Sequence, residues 1–306
     1  MIEDLVIQTE DLSKRFGNDK LAVDGLGLCV QRGQVFGLLG PNGAGKTTTL
    51  KMLLGLIRPT RGRARVAGFP PGHRKGLSKV GALVEVPAFY PYLSGRSNLR
   101  LVARYCGAED SRCEAALEEV GLAGAAAVRF SAYSTGMKQR LGLAAALIKE
   151  PELLILDEPS SGLDPQGMIE MRELIRTLGA GNRSVLISSH LLTEVEQICD
   201  RVGVIHQGRL VAEGALEELR GMAGVLVTAR PLERARSVVE ALLGSCAVAV
   251  VDGQLRLAID SGRIAEVVRR LVEAGVEVEE TRRAARSLEE IFLSLTTSTE
   301  TGRVRG

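Results

Sequence analysis

One octapeptide constrains this chain more than any other feature. Gly40-Pro41-Asn42-Gly43-Ala44-Gly45-Lys46-Thr47 fits G-x-x-x-x-G-K-[ST]. Its flanks supply the setting that pattern needs. The apolar run Val35-Phe36-Gly37-Leu38-Leu39 precedes it as a buried strand, and Leu50, Leu53 and Leu54 follow at helical spacing. Strand, glycine loop and helix in that order wrap backbone N–H groups and a positive dipole end around an anion. Glycine allows this because no Cβ stands between backbone and ligand. Lys46 then reaches the β- and γ-phosphates, the Thr47 hydroxyl ligates Mg²⁺, and Thr48 adds a phosphate contact. A nucleoside triphosphate with Mg²⁺ is the expected ligand.

A second element supplies the chemistry that a phosphate cradle lacks. Leu153-Leu154-Ile155-Leu156-Asp157-Glu158-Pro159 is an apolar strand ending in two carboxylates. Asp157 is expected to hold Mg²⁺ and Glu158 to polarise the attacking water. Ser188-Ser189-His190 follows the next apolar strand, Val185–Ile187, at the strand end where α/β proteins gather their ligands. His190 there can hydrogen-bond the γ-phosphate and hold the water and Glu158 in place.

The remaining pattern divides the chain. Residues 1–80 read as short strands with glycine turns, 90–150 as helices, and 151–212 as alternating strand, helix and strand, which predicts an α/β core. Beyond about residue 222 the order reads β-α-β-β-α-β, a small ferredoxin-like unit. Asp252-Gly253 marks a hairpin, Gly275 caps a helix, and Ser287 with Glu290 forms a capping box ahead of Ile291, Phe292 and Leu295. The expected division is a cassette over 1–220 with a helical subdomain at about 90–150, an accessory α+β domain over 221–297, and a flexible tail over 298–306.

Composition narrows the partners. The net charge is +2, from 39 Lys and Arg against 37 Asp and Glu, which argues against a nucleic-acid binder. Six Phe, four Tyr and no Trp leave too few rings for a base-stacking surface. No apolar stretch reaches the roughly 18–20 residues of a membrane span, and Met1-Ile2-Glu3-Asp4 does not open a signal peptide. Five cysteines without C-x-x-C spacing suggest reduced, mostly buried thiols in a cytoplasmic protein.

Two further segments carry a resemblance. Tyr133-Ser134-Thr135-Gly136-Met137-Lys138-Gln139-Arg140-Leu141 lies ahead of the acidic strand, and Ser161-Gly162-Leu163-Asp164-Pro165 follows it. With the phosphate loop, the acidic strand and His190, they resemble the ATP-binding subunits of ABC transporters over about residues 2–215. The resemblance implies a phosphate-loop NTPase cassette: a RecA-like α/β core with antiparallel β and helical subdomains. It implies that Phe16 stacks on adenine, and that Ser134 and Gly136 contact the γ-phosphate held by an opposite subunit. Asp164 would line the dimer seam. Glu85, in Val84-Glu85-Val86-Pro87, stands where the family usually has a Mg²⁺-ligating Gln; the resemblance implies that its carboxylate ligates Mg²⁺ in turn, adding a negative charge beside the phosphates. With Met137-Lys138-Gln139-Arg140, it is similar to the bacitracin-resistance and lantibiotic-immunity exporters. The accessory unit is similar to that of antibiotic-export ATPases.

The mechanism so implied is a head-to-tail dimer sandwiching two ATP–Mg²⁺. It would be a homodimer or a heterodimer with a second ATPase. Closure would be transmitted through Glu85 and the Pro87-Ala88-Phe89-Tyr90-Pro91-Tyr92 loop to a separate transmembrane permease. The chain would then sit in the cytoplasm, on the inner face of the membrane, touching it only through the permease. Export of an antibiotic, peptide or lipid-like compound is the leading expectation. An importer ATPase and a non-transport ABC ATPase or regulatory module are the alternatives. A DNA-repair role would need a long coiled-coil insertion between Lys46 and Ser134, for which the chain has no room.

Overall fold

The computed structural model describes residues 4–17, 20–85, 87–181, 183–220, 224–244, 247–257, 259 and 261–284. The chain divides into two compact units, one ending at Leu216 and one beginning at Glu217.

The first unit opens with β1 (Leu5–Phe16), β2 (Lys20–Leu26) and β3 (Cys29–Gln31), an antiparallel sheet in the order β2-β1-β3. The sequence suggests short strands here, yet β1 runs for 12 residues. It does so by changing partners. Leu5, Ile7 and Gln8 pair with β3, and Leu12 to Phe16 pair with β2. Asp11, at φ 52°, lies between these two stretches. Next come β4 (Val35–Leu39), α1 (Lys46–Leu53) and β5 (Arg61–Val66), the last pairing with β1. Leu50, Met52 and Leu53 of α1 are fully or almost fully buried, in one core with Ile7, Leu12 and Leu26 of the antiparallel sheet and Phe36 and Leu38 of β4. Each such side chain contributes about 1.5–3 kcal/mol by leaving water, so α1 is held from both sides.

After α2 (Arg74–Leu77) and β6 (Val80–Leu83) comes the helical segment: α3 (Gly95–Cys106), α4 (Asp110–Glu119) and α5 (Thr135–Leu147). Leu99 and Ala103 on α3, and Ala116 and Leu117 on α4, are buried, as their spacing predicts. The chain returns through β7 (Leu153–Asp157), α6 (Pro165–Gly179), β8 (Ser184–Ser189), α7 (Leu192–Ile198), β9 (Arg201–His206) and β10 (Arg209–Ala215). These strands complete a six-stranded sheet, β10-β9-β4-β8-β7-β6, parallel except where β10 pairs antiparallel with β9. Strands β4 and β8 are buried along their whole length, which suits the apolar runs Val35–Leu39 and Val185–Ile187.

The second unit begins within α8 (Leu216–Arg220). It contains β11 (Gly224–Arg230), α9 (Leu232–Leu243), β12 (Val248–Val251), β13 (Gln254–Leu257), α10 (Ile264–Glu273) and β14 (Glu277–Ala284). Its four-stranded antiparallel sheet has the order β12-β13-β11-β14. Val251 pairs with Gln254 across the Asp252-Gly253 turn. Val225, Val227, Leu255 and Leu257 share a core with Ala235, Val239, Val267 and Leu271 of the two helices. Gly275, at φ 71°, ends α10: its N–H donates to Val272 O and the N–H of Val276 donates to Leu271 O. Gly275→Ala meets no close neighbour and only forces a left-handed alanine. Chemical denaturation is therefore expected to show a loss of about 1 kcal/mol in this unit. The expected capping box at Ser287 and Glu290, its helix, and the tail after 297 lie outside the described residues.

The cysteines depart from the expected burial. Cys113 and Cys199 are buried, but Cys29 and Cys106 are exposed. Cys29 is on β3, where only Val30 faces inward, and Cys106 is the last residue of α3. Cys246 lies outside the described residues. No helix among the described residues is long and apolar enough to cross a membrane.

Candidate functional site

Sheet register assembles the site. Leu39 pairs with Ser189 and Leu38 with Ser188, while Asp157 pairs with Ser188 on the other side of β8. The loops leaving β4, β7 and β8 therefore emerge side by side. They carry the phosphate loop, Asp157-Glu158 and His190.

The phosphate loop is tightly seated. Gly45 has φ 107°, and a Cβ there would fall 2.4 Å from Ala22 O. Both facts demand glycine. At Gly40 a Cβ would come within 2.3 Å of Ile205 O, so the loop also presses against β9. Lys46 opens α1 and is only 5% exposed. Its ammonium donates to Gly40 O at 2.8 Å and Pro41 O at 3.2 Å, and pairs with Glu158 Oε1 at 3.2 Å. A buried lysine with three oxygen partners is held at one position rather than swinging freely.

Glu158 joins the two halves. Its other oxygen, Oε2, lies 2.9 Å from His190 Nδ1. Glu158 sits at φ 46°, an uncommon backbone state for a non-glycine residue. Its N–H donates to Ser188 O and to Ser188 Oγ, both at 3.1 Å. The Ser188 hydroxyl in turn donates to Asp157 Oδ1. One serine thus orients both acids at the end of β7.

A small cleft of about 110 Å³ is lined by Asn42, Gly43, Gly45, Lys46, Thr47, Thr48 and Glu158. Its residues fit a triphosphate: a glycine cradle, the start of a helix and one fixed ammonium. Among the described residues there is no cluster of three or more His, Cys, Asp or Glu able to hold a metal. One hydroxyl and one carboxylate, from Thr47 and Asp157, fit Mg²⁺, which binds through one or two protein oxygens plus substrate phosphates and dispenses with an all-protein cage. Thr47 and Asp157 are the residues that would hold it.

The other expected site residues lie elsewhere. Ser134, Gly136 and Asp164 line a different, larger cleft of about 650 Å³, together with Met137, Arg140 and Leu163. Ser134 caps α5 by accepting from the N–H of Met137 at 3.2 Å, and Asp164 caps α6 by accepting from the N–H of Gly167 at 2.9 Å. Glu85 follows β6 at φ 65° with its carboxylate paired to Lys51 of α1. Phe16, at the end of β1, is 44% exposed with the Lys14 ammonium 5.1 Å from its ring centre. In the loop after Glu85, Tyr90 and Tyr92 are exposed, but Phe89 packs edge-on against buried Phe130 at 5.3 Å. Buried Asn98 fixes this loop, accepting from Tyr90 N–H and donating to Tyr90 O.

Sequence reading passed over Ser160 and Glu194. Glu194 is in the first turn of α7 and is buried. Nothing in its local pattern marks it, since an acid in a first helical turn is ordinarily a solvated partner of the dipole.

Comparison with known proteins agrees with this geometry. Residues 23–161 match the ABC transporter family. The chain is 40% identical over 309 residues to the bacitracin transport ATP-binding protein of Bacillus licheniformis, covering 95% of this chain and 97% of that protein. It is 40% identical over 306 residues to a daunorubicin resistance ATP-binding protein of Streptomyces coeruleorubidus, covering 96% of each. A solved ATP-binding subunit of an ABC transporter superposes with a TM-score of 0.63 at 31% identity, over 70% of this chain and 92% of that one. Together with the phosphate loop and the acidic strand beside it, these similarities place the chain among the ATP-binding, ATP-hydrolysing subunits of ABC transporters.

Proposed function

We propose that this subunit hydrolyses ATP–Mg²⁺ at the Lys46–Glu158–His190 cluster and that two copies, or this chain and a related ATPase, close on each other to drive export through a separate permease. One observation carries the assignment of the site: the Glu158 carboxylate stands between the phosphate-loop ammonium and the His190 ring, at 3.2 and 2.9 Å.

Lys46 and the loop amides bind the β- and γ-phosphates. Thr47 and Asp157 would hold Mg²⁺, which would neutralise charge on the phosphates. Glu158 accepts a proton from the attacking water as the water oxygen bonds to the γ-phosphorus and the bond from that phosphorus to the bridging oxygen breaks, leaving ADP and phosphate. His190 keeps that carboxylate aimed. His190→Ala is expected to lower turnover about 10- to 100-fold, with ATP affinity little changed because the phosphate loop is intact. Wild-type hydrolysis by that variant would remove His190 from the site.

Ser134 and Gly136, on their own cleft, are suited to meet a phosphate held by a facing subunit, since the start of α5 presents N–H groups there. Asp164 shares that cleft and would lie at the seam. Phe16, exposed at its strand end, is available to adenine. Glu85 would coordinate Mg²⁺ only after leaving Lys51, so its role is best placed in signalling to the permease. Tyr90 and Tyr92 give the exposed part of that coupling surface.

The two relatives named for bacitracin transport and daunorubicin resistance support export of an antibiotic or similar compound. Co-expression with its membrane partner in a sensitive host should lower accumulation of such compounds, and Glu158→Gln should abolish the effect. Uptake instead of efflux would favour the importer alternative.

A further inference from the structure

We infer that Glu194 is a positioning residue for ATP hydrolysis: its buried carboxylate ties together the two loops that carry Glu158 and His190. The inference rests on the reading that those two residues act on the attacking water.

Glu194 is only 3% exposed. One carboxylate oxygen accepts from Ser160 Oγ, two residues beyond Glu158. The other accepts from Ser189 Oγ at 2.5 Å, the residue immediately before His190. A third contact closes the knot, since the Leu191 N–H donates to Ser189 Oγ at 3.0 Å. No cation pairs with this carboxylate among the ion pairs of the described residues; two hydroxyls satisfy it. Short hydrogen bonds from hydroxyl to carboxylate are among the stronger kinds, and burial makes them hard to replace with water.

The element that carries Glu194 is itself fixed. A Cβ on Gly37 in β4 would fall 2.8 Å from both Cys199 Sγ and Val195 Cγ1. Helix α7 therefore rests directly on the strand that leads into the phosphate loop. Cys199 packs there as a neutral thiol, because burial first, and then the carboxylates of Glu194 and Asp200, raise its pKa well above the ordinary range. Through α7 and its carboxylate, the strand before the loop, the Glu158 turn and the His190 turn hold one geometry. The 2.9 Å contact between Glu158 and His190 depends on all three. The site is sensitive to this because a displacement of about 1 Å can cost on the order of 10²-fold in rate.

Steady-state ATPase assays on the full chain test the inference. Glu194→Ala is expected to lower kcat about 10- to 100-fold while the Kd for ATP stays within about twofold. Glu194→Gln, which keeps one acceptor oxygen, should recover part of the rate. Ser160→Ala and Ser189→Ala should each give a smaller loss of the same kind, and neither should add to the loss in Glu194→Ala. In a Glu158→Gln background, Glu194→Ala should change the residual rate little, because there is no aimed carboxylate left to misplace. A purely structural role would instead move Kd, thermal stability and kcat together and would lower the rate equally in both backgrounds. That result, or wild-type kcat in folded Glu194→Ala, overturns the inference. If Glu194→Ala does not fold, the two serine variants decide: wild-type rates in both overturn it. Glu158→Gln alone distinguishes the two levels. Wild-type turnover there overturns the underlying reading, whereas a slow Glu158→Gln beside a fast Glu194→Ala overturns only the role of Glu194.

Discussion

Glu158→Gln is expected to bind ATP with near wild-type affinity and to hydrolyse it about 10²–10⁴ times more slowly. The substitution is isosteric, so the turn at φ 46° and the N–H contacts to Ser188 remain. The amide also keeps an oxygen for Lys46 or for His190. What it loses is the basic lone pair that takes a proton from water. The ammonium of Lys46 and the loop amides are untouched, so the nucleotide still binds. If ATP draws two subunits together, the variant stalls after closure, and size-exclusion chromatography with ATP should show dimers that the wild type does not accumulate. Unchanged turnover would show that another group accepts the proton. Slow turnover without dimers would preserve the chemistry and overturn the sandwich.

Lys46→Met should fail earlier, at binding. The thioether chain matches the stem of lysine and keeps its buried volume, but removes the charge. Gly40 O and Pro41 O lose their donor, and Glu158 loses its cation. Removing one partner of a buried, hydrogen-bonded charge pair costs about 2–5 kcal/mol, and incoming phosphates meet an unneutralised carboxylate as well. ATP affinity should fall about 10²–10³-fold by calorimetry, and turnover with it. Retention of wild-type affinity would mean that the backbone amides alone hold the triphosphate. The two variants separate the roles. Lys46→Met raises the Kd, whereas Glu158→Gln leaves it and lowers kcat.

Much of this site was legible in the chain because its parts are local. A glycine loop between an apolar strand and a helix can be read from adjacent residues, as can two acids or a histidine ending a buried strand. Ser134 and Asp164 each cap the start of a helix, Asp164 with Pro165 just after it. Their cleft, separate from the phosphate loop, became visible only in space. β1 was misjudged for a related reason. Its length comes from a change of pairing partner at Asp11, and partner choice is non-local. Phe89 belongs to the loop expected to transmit closure to a permease, but its contact with Phe130 depends on how that loop folds onto the helical segment.

The amino-acid order by itself determined that a phosphate cradle exists, which residues end β4, β7 and β8, and that the chain belongs with ATP-binding subunits. The first two follow from backbone periodicity, glycine geometry and side-chain chemistry within short windows, and the third from the resemblance that the separated motifs carry together. Tertiary structure decided which groups touch. The register of β4, β8 and β7 sets Glu158 between Lys46 and His190, and Ser188 beneath both acids. It pairs Glu85 with Lys51 and buries Glu194 between Ser160 and Ser189. The physical reason is that strand register and helix seating are fixed by burial summed over distant elements, so a one-residue slip of a strand would move the loop it feeds out of alignment with its neighbours.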